Sequence, residues 1–469
     1  MTGPHNRPSV LVDGSLLLVP DQTGIASFAR SLASTLVGTG AEVGLLLSGR
    51  AKQIPGAPAI ALADQVFATP ARRQGRLSRL LESRAGFRRK LRAIPVPLDG
   101  LEVAALTRPL PEHHTVLNAS NFLTHSRTVF AISQRFVEIA VEQDFDLMHW
   151  TVPAAVRASK RPNIYTIHDL IPLKFPQFTL DVAGRAAILH DRIVKSADHI
   201  LTMSERSRED IIAVLGVPEE RISVAYQPAP PMPFVAREDA ERLVSSVYSV
   251  SAGEYVFFCG AIEPKKNLLR LIEAFSIAGT DLQLVIAGPL GWLYDDVQEL
   301  LERVSGRVRY LGYLPRRHIA ALMQCASFFA FPSVYEGFGI PVLEAMRAGT
   351  PVLTSYGGSL PEVCGDAAIM VDPLDVSAIA AGIRELAADA DLRAELVRRG
   401  LVRAKRFSEQ AFAEQLRMAY RRVGVSFPSP APGNAPCLTS SASAPSCAPP
   451  RSTPPHGAIP ELTRMPTST

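Results

Sequence analysis

The sequence predicts an α/β protein with two doubly wound, parallel-sheet domains, and three observations carry that expectation. Short apolar runs alternate with longer helix-patterned stretches along most of the chain, the signature of repeated βαβ units. At 469 residues the chain is longer than one hydrophobic core supports. Between two series of such units lies Q-P-A-P-P-M-P-F at 227–234, whose four prolines can continue neither a helix nor an inner strand.

Strands are expected at 9–12, 43–47, 147–150, 163–167, 199–202 and 223–226 in the first series. The second series places them at 255–259, 283–287, 308–311, 328–331 and 352–354. The domain reading is therefore a first domain at 1–228, a linker region at 229–250, a second domain at 251–410 and a closing helix at 411–425. The remainder, 426–469, is rich in Pro, Ser, Thr and Ala and has too little apolar surface to offset its ordering entropy, so it is expected to be disordered. Residues 72–92 read as an insertion in the first domain, with nine basic residues set among Leu77, Leu80, Leu81, Phe87 and Leu91.

A hydrophobic content of 47% with 20% charge fits a globular protein and excludes a fibrous or wholly disordered one. The net charge of +4, without a recognition motif, argues against nucleic acid. Five scattered cysteines, none in C-x-x-C spacing, indicate neither a disulfide framework nor a zinc site, and favour a reducing compartment. Asp13 interrupts the first apolar run too early for a secretory leader, and the uncharged stretch 319–335 contains Gln324 and Pro332. A cytoplasmic protein is expected.

The densest chemical signal is F-P-S-V-Y-E-G-F-G-I-P-V-L-E at 331–344. A strand ends at Phe331, a loop carries Gly337 and Gly339, and Pro341 opens a helix that Gly349 stops. The glycines allow unusual backbone angles and close approach of a ligand. The helix start offers free N–H groups and the positive end of a dipole, a natural anion site. Glu336 and Glu344 flank it, which suits a molecule with a diphosphate at its centre and hydroxyls at both ends, as in a nucleotide sugar.

E-G-F-G-I-P-V-L-E, with seven residues between Glu336 and Glu344, resembles the E-x(7)-E signature of retaining GT-B glycosyltransferases of the family-four group. G-A-I-E-P-K-K-N-L at 260–268, L-V-I-A-G at 284–288, V-R-Y-L-G-Y-L at 308–314, G-T-P-V-L-T-S at 349–355 and G-G-S-L-P-E-V-C-G-D-A-A at 357–368 follow the family's order. In the first domain T-G-I-A-S-F-A-R at 23–30, Y-T-I-H-D-L at 165–170 and A-D-H-I-L-T-M-S-E at 197–205 are similar to its glycine loop, His loop and a later strand. The resemblance runs from about Val10 to Val423 and is weakest between 50 and 144.

It implies two Rossmann-like domains facing a central cleft, the first on the acceptor side and the second holding the donor. Glu344 would accept hydrogen bonds from ribose, and Glu336 would face the donor sugar beside the Phe338–Gly339 backbone. Lys266 and Lys265 would neutralise the departing diphosphate. Gly337 and Gly339 would line the donor loop, Gly24 would leave room for diphosphate or acceptor, and His168 would lie near the reacting centre. Many relatives carry an Arg where this chain has Ala261, so the clamp would lean on Lys266 and the helix dipole.

The implied reaction is retaining transfer of a hexosyl group, with mannosyl from GDP-mannose the best match, to a glycan or lipid-linked glycan. No cofactor beyond the nucleotide sugar is expected. A UDP-sugar donor, an inactive nucleotide-sugar-binding module and a Rossmann oxidoreductase are the alternatives. The last lacks G-x-G-x-x-G after its first strand.

Asp144-Phe145-Asp146 spells the D-x-D of metal-dependent GT-A enzymes but precedes its strand instead of following it. It reads as a surface turn, and His113-His114 as loop, so no metal is expected. The 72–92 insertion reads as a basic amphipathic helix able to lie on an anionic membrane surface, making the protein peripheral on the inner face.

Overall fold

A computed structural model describes residues 7–17, 24–49, 89–96, 110–179, 183–233, 235–291, 297, 299–301 and 306–427. The first half contains strands β1 (Ser9–Asp13), β2 (Glu42–Leu47), β3 (Lys90–Arg92), β4 (Ile94–Pro95), β5 (Thr115–Asn118), β6 (Val137–Ala140), β7 (Leu147–Trp150), β8 (Val156–Ala158), β9 (Asn163–Thr166), β10 (His199–Thr202) and β11 (Ile222–Val224). The second contains β12 (Tyr255–Cys259), β13 (Gln283–Ala287), β14 (Val308–Tyr310), β15 (Phe328–Phe331), β16 (Val352–Ser355) and β17 (Ile369–Val371).

The first sheet runs β11-β10-β9-β7-β1-β2-β5-β4, parallel except where β4 meets β5. The second runs β14-β13-β12-β15-β16-β17 and is parallel throughout. Strands covered on both faces are apolar at nearly every position, which is why β7, β12, β13 and β15 are legible as apolar runs, broken only by His149 in β7 and by Gln283 at the start of β13. A small parallel sheet, β3-β6-β8, packs beside the first. The sequence reading singles out neither this sheet nor β4, β5 and β17.

In each large sheet the strand order reverses at one place, between β1 and β7 in the first and between β12 and β15 in the second. Loops leaving the carboxyl ends of the two strands at such a point diverge and open a crevice, where α/β proteins bind their ligands.

Three expectations change. Lys90–Arg92 pairs with Glu138–Ala140 as a strand, so Leu91 does not extend an amphipathic helix; the rest of that stretch, 72–88, lies outside the described residues. The 229–250 region is not all linker: past the last proline, Arg237–Tyr248 forms a helix that buries Ala240, Val244 and Tyr248 and packs on the Arg316–Cys325 helix, with Tyr248 Oη 2.5 Å from His318 Nδ1. The closing helix, Glu409–Arg421, returns to the first half, where Tyr420 Oη lies 2.5 Å from His149 Nδ1 and Phe412 meets Phe28 edge-on. The chain continues into the body as far as Phe427, buried against Tyr420, and 428–469 lie outside the described residues. No helix among the described residues is long and apolar enough to cross a membrane.

Candidate active site

β12 and β15 are adjacent, so the loops that follow them leave the same edge of the second sheet. After β12 the chain makes a short 3-10 turn, Pro264–Lys266, ended by Asn267 in the left-handed region at φ 63°. Asn267 Nδ2 holds that turn by donating to Pro332 O at 2.9 Å and Pro373 O at 2.6 Å. Val334 N donates to Lys265 O at 2.8 Å, which sets the lysine turn against the 333–339 loop. On the other side, Ser359 N and Oγ both donate to Glu336 O.

The consequence is a buried ion pair at the point of strand reversal. Lys266 Nζ donates to Glu336 Oε1 at 2.6 Å and stands 4.8 Å from the centre of the Phe331 ring. Burial pushes the Glu336 carboxyl up, but the charges of Lys266 and Lys265 and the Lys266 hydrogen bond outweigh it and hold the group below its ordinary value. Burial likewise opposes the Lys265 charge, yet Glu336, Glu263 and Asp169 together raise that ammonium above its ordinary value. Lys265 Nζ lies 3.4 Å from Glu263. Both expected lysines and Glu336 therefore share one charge cluster.

Gly339 forms the N-cap of the Ile340–Arg347 helix at φ 101°, and no side chain caps that helix start. Phe338 turns its ring inward between Tyr226 and Phe407, leaving its backbone at the loop. Glu344, one turn into the helix, is buried with its Oε1 accepting from Arg316 at 2.8 Å. Burial raises the Glu344 carboxyl, partly countered by Arg316 and Arg347.

Gly337 also lies at the seam between the two halves. A Cβ there would sit 2.8 Å from Asp169 Oδ2 and 3.1 Å from His168 O, so this glycine lets the two halves meet. Ser204 Oγ donates to Gly337 O at 2.8 Å, and Ser207 Oγ to the same oxygen at 3.3 Å. The carboxyl edges of the two sheets thus face one another across the 168–169 and 337 loops. Glu362 is committed to the same seam: its carboxylate accepts from Glu205 N, Arg206 N and Tyr226 Oη at 2.7, 3.2 and 2.6 Å, capping the Glu205–Leu215 helix from the opposite half. Asp210 of that helix accepts from Lys174 at 2.6 Å and from the Tyr335 hydroxyl.

In the first half, His168 follows β9, but its ring is directed into the fold. Nε2 donates to Thr151 O at 2.8 Å, Nδ1 is 3.4 Å from Met203 Sδ, and Phe28 stands edge-on at 5.1 Å. Burial lowers its pKa, so the imidazole is neutral with its proton on Nε2. Thr151 in turn donates through Oγ1 to Asp13 O and Oδ2, at 3.0 and 3.2 Å. Asp13 closes β1, is wholly buried, and has its carboxyl raised by that burial against hydrogen bonds from Ser15 and Thr151. Asp13 and Thr151 mark the strand reversal of the first sheet, and sequence reading assigns neither to the site. Gly24 is exposed at the start of the Gly24–Gly38 helix, and none of the described residues would meet a Cβ there.

The D-x-D residues sit at the other end of the sheet. Asp146 accepts from Ser9 N at 2.7 Å, at the first residue of β1, and Asp144 pairs with Arg161. Amino ends of parallel strands are opposite the crevice. His114 Nδ1 accepts from Val43 N at 3.0 Å, a strand-edge role. Among the described residues no three His, Cys, Asp or Glu side chains converge as a metal site.

Two doubly wound parallel sheets meeting at their carboxyl edges, with a lysine–carboxylate cluster at the second switch point, define the GT-B glycosyltransferase fold. A family model described as glycosyl transferases group 1 matches residues 246–402, and one described as glycosyltransferase family 4 matches 100–230. The O-antigen chain mannosyltransferase B of Escherichia coli is 37% identical over 267 residues, covering 55% of this chain and 70% of that protein. The serotype-specific mannosyltransferase WbdA of Escherichia coli is 30% identical over 255 residues, 51% of this chain but 31% of that protein. Among solved structures, Anabaena HepE in complex with UDP and glucose superposes with a TM-score of 0.60 at 17% identity, over 88% of this chain and 100% of that one. The chain belongs to the group 1 glycosyltransferases.

Proposed function

We propose that this glycosyltransferase moves a mannosyl group from GDP-mannose to a hydroxyl of a glycan or lipid-linked glycan, with retention at the anomeric carbon and no metal or other cofactor. The observation that carries the reading is the Lys266–Glu336 pair, buried where the strand order of the second sheet reverses and beside the uncapped start of the Ile340–Arg347 helix. A diphosphate brings negative charge to that helix start, where Lys266 and Lys265 supply cations within a site shielded from water. As the glycosidic bond breaks, charge grows on the leaving oxygen, so a Lys266 contact there strengthens in the transition state. Glu336, relieved of part of its pairing with Lys266, becomes an acceptor for hydroxyls of the donor sugar. Acceptor deprotonation falls to the leaving diphosphate on the same face of the sugar, which gives retention without a carboxylate nucleophile of the kind glycosidases use. The mannosyl assignment draws on the two Escherichia coli relatives, both named as mannosyltransferases.

The test is nucleotide release from GDP-mannose, UDP-glucose and UDP-galactose in the presence of an O-antigen oligosaccharide, with EDTA, followed by NMR of the product's anomeric carbon. GDP release with an α-linked product is expected from the α-configured donor. A UDP-sugar preference would move the donor assignment, a β-linked product would remove retention, and EDTA sensitivity would restore a metal.

A further inference from the structure

We propose that Arg316 is a positioning residue of the donor site, holding the Glu344 carboxylate charged and fixed in orientation for the ribose hydroxyls it receives. The proposal rests on the reading of Glu344 as the ribose acceptor. Arg316 opens the Arg316–Cys325 helix, which follows β14 in the chain and packs against β12, and its guanidinium reaches Glu344 at 2.8 Å. Its NH2 group is also 3.3 Å from Met232 Sδ, so the linker helps aim it.

Glu344 needs such a partner. It is almost wholly buried, and an isolated carboxylate in that setting takes up a proton instead of remaining charged. Around it, Arg316 faces it from one helix, Arg347 from its own helix, and the Cys259 thiol from the end of β12. Arg316 is the one of these that forms an ion pair with it. The Cys259 thiol, pushed up to about 12 by burial and by the Glu344 charge, adds no compensating charge. A protonated Glu344 would offer ribose fewer acceptors and a competing donor. Arg316 therefore acts on the donor through Glu344.

The experiment compares wild type with Arg316→Met, Arg316→Lys and Glu344→Gln, measuring Kd for GDP and for UDP by calorimetry from pH 5.5 to 9 and the melting temperature over the same range. In Arg316→Met the acid limb of the affinity profile should move up by about one pH unit, a loss that approaches about tenfold on the acid side and shrinks at higher pH. Arg316→Lys should follow wild type. Without nucleotide, the melting deficit of Arg316→Met should grow as pH rises, because an ionised buried carboxylate has lost its counter-ion. In Glu344→Gln, adding Arg316→Met should produce no pH-dependent deficit. An affinity loss constant across the pH range, or a flat melting deficit, would overturn the proposal and leave Arg316 a direct nucleotide contact or a packing residue. Unchanged nucleotide affinity in Glu344→Gln would overturn the ribose reading together with it, whereas a pH-dependent melting deficit in Arg316→Met would still show the coupling of the two side chains.

Discussion

Lys266 Nζ lies 2.6 Å from Glu336 Oε1, although the two are seventy positions apart in the chain, and both side chains are almost wholly buried. One pair thus unites the cation expected for the diphosphate with the carboxylate expected for the sugar. Removing either partner leaves a buried charge, a change that typically costs about 3–5 kcal/mol. Lys266→Ala should therefore lower both melting temperature and turnover, the latter by about 100-fold if its contact tightens as the diphosphate leaves. The double variant Lys266→Met, Glu336→Gln should regain most of the melting temperature without regaining turnover. Recovery of both together would reduce the pair to a structural role.

Gly337 packs against Asp169 and His168 O with no room for a Cβ. Gly337→Ala should separate the two carboxyl edges and cut turnover by about 100-fold through misplacement of the reacting groups. Nucleotide affinity, set within the second half, should change little. Steady-state kinetics and calorimetry together decide it, and a parallel loss of both would mean that the donor loop itself had been distorted.

Glu362 caps the Glu205–Leu215 helix from the opposite half and accepts from Tyr226 Oη. Glu362→Ala should cost about 1 kcal/mol of stability, the usual worth of a helix cap. In a double-mutant cycle with Tyr226→Phe the two losses should be non-additive, because both act on one carboxylate. Strict additivity in urea melts would show that the two contacts are independent.

The end of the packed body can be located by truncation. Ending the chain after Phe427 should leave melting temperature and activity nearly unchanged, since the sequence of 428–469 has little apolar surface to bury. Ending it after Gly424 removes Phe427, buried on Tyr420, along with Val425, and should cost about 2–3 kcal/mol. Equal melting temperatures for the two truncations would refute that distinction.

Three histidines are held neutral inside the first half: burial lowers His149 to about 3, His199 to about 4, and His168 in the same direction. Their unfolded value is near 6.5, so as pH falls below it the unfolded chain takes up protons that the folded chain does not. Stability should therefore fall progressively from about pH 6.5 towards pH 4. His149→Gln, tested by urea denaturation at pH 7 and pH 5, should show a shallower decline than wild type. The activity profile should carry no inflection from His168 near pH 6.5, and His168→Ala should lower turnover more than nucleotide affinity.

Much of this molecule can be read from its sequence because the signals are local. β7, β12, β13 and β15 are buried on both faces and so are apolar at every position or nearly so, and the Gly339–Pro341 turn declares the start of its own helix. The E-x(7)-E spacing places Glu336 before that helix and Glu344 within it whatever surrounds them. What only the tertiary structure decided is who meets whom across long separations. Arg316 finds Glu344 over twenty-eight residues, Glu362 caps a helix 157 residues earlier, and Gly337 is a glycine because Asp169 stands against it. A residue type and its neighbours in sequence record which backbone shapes and burial states are allowed locally. Which charge neutralises which depends on the strand order that brings the carboxyl edges together, and no short stretch of the chain contains that order.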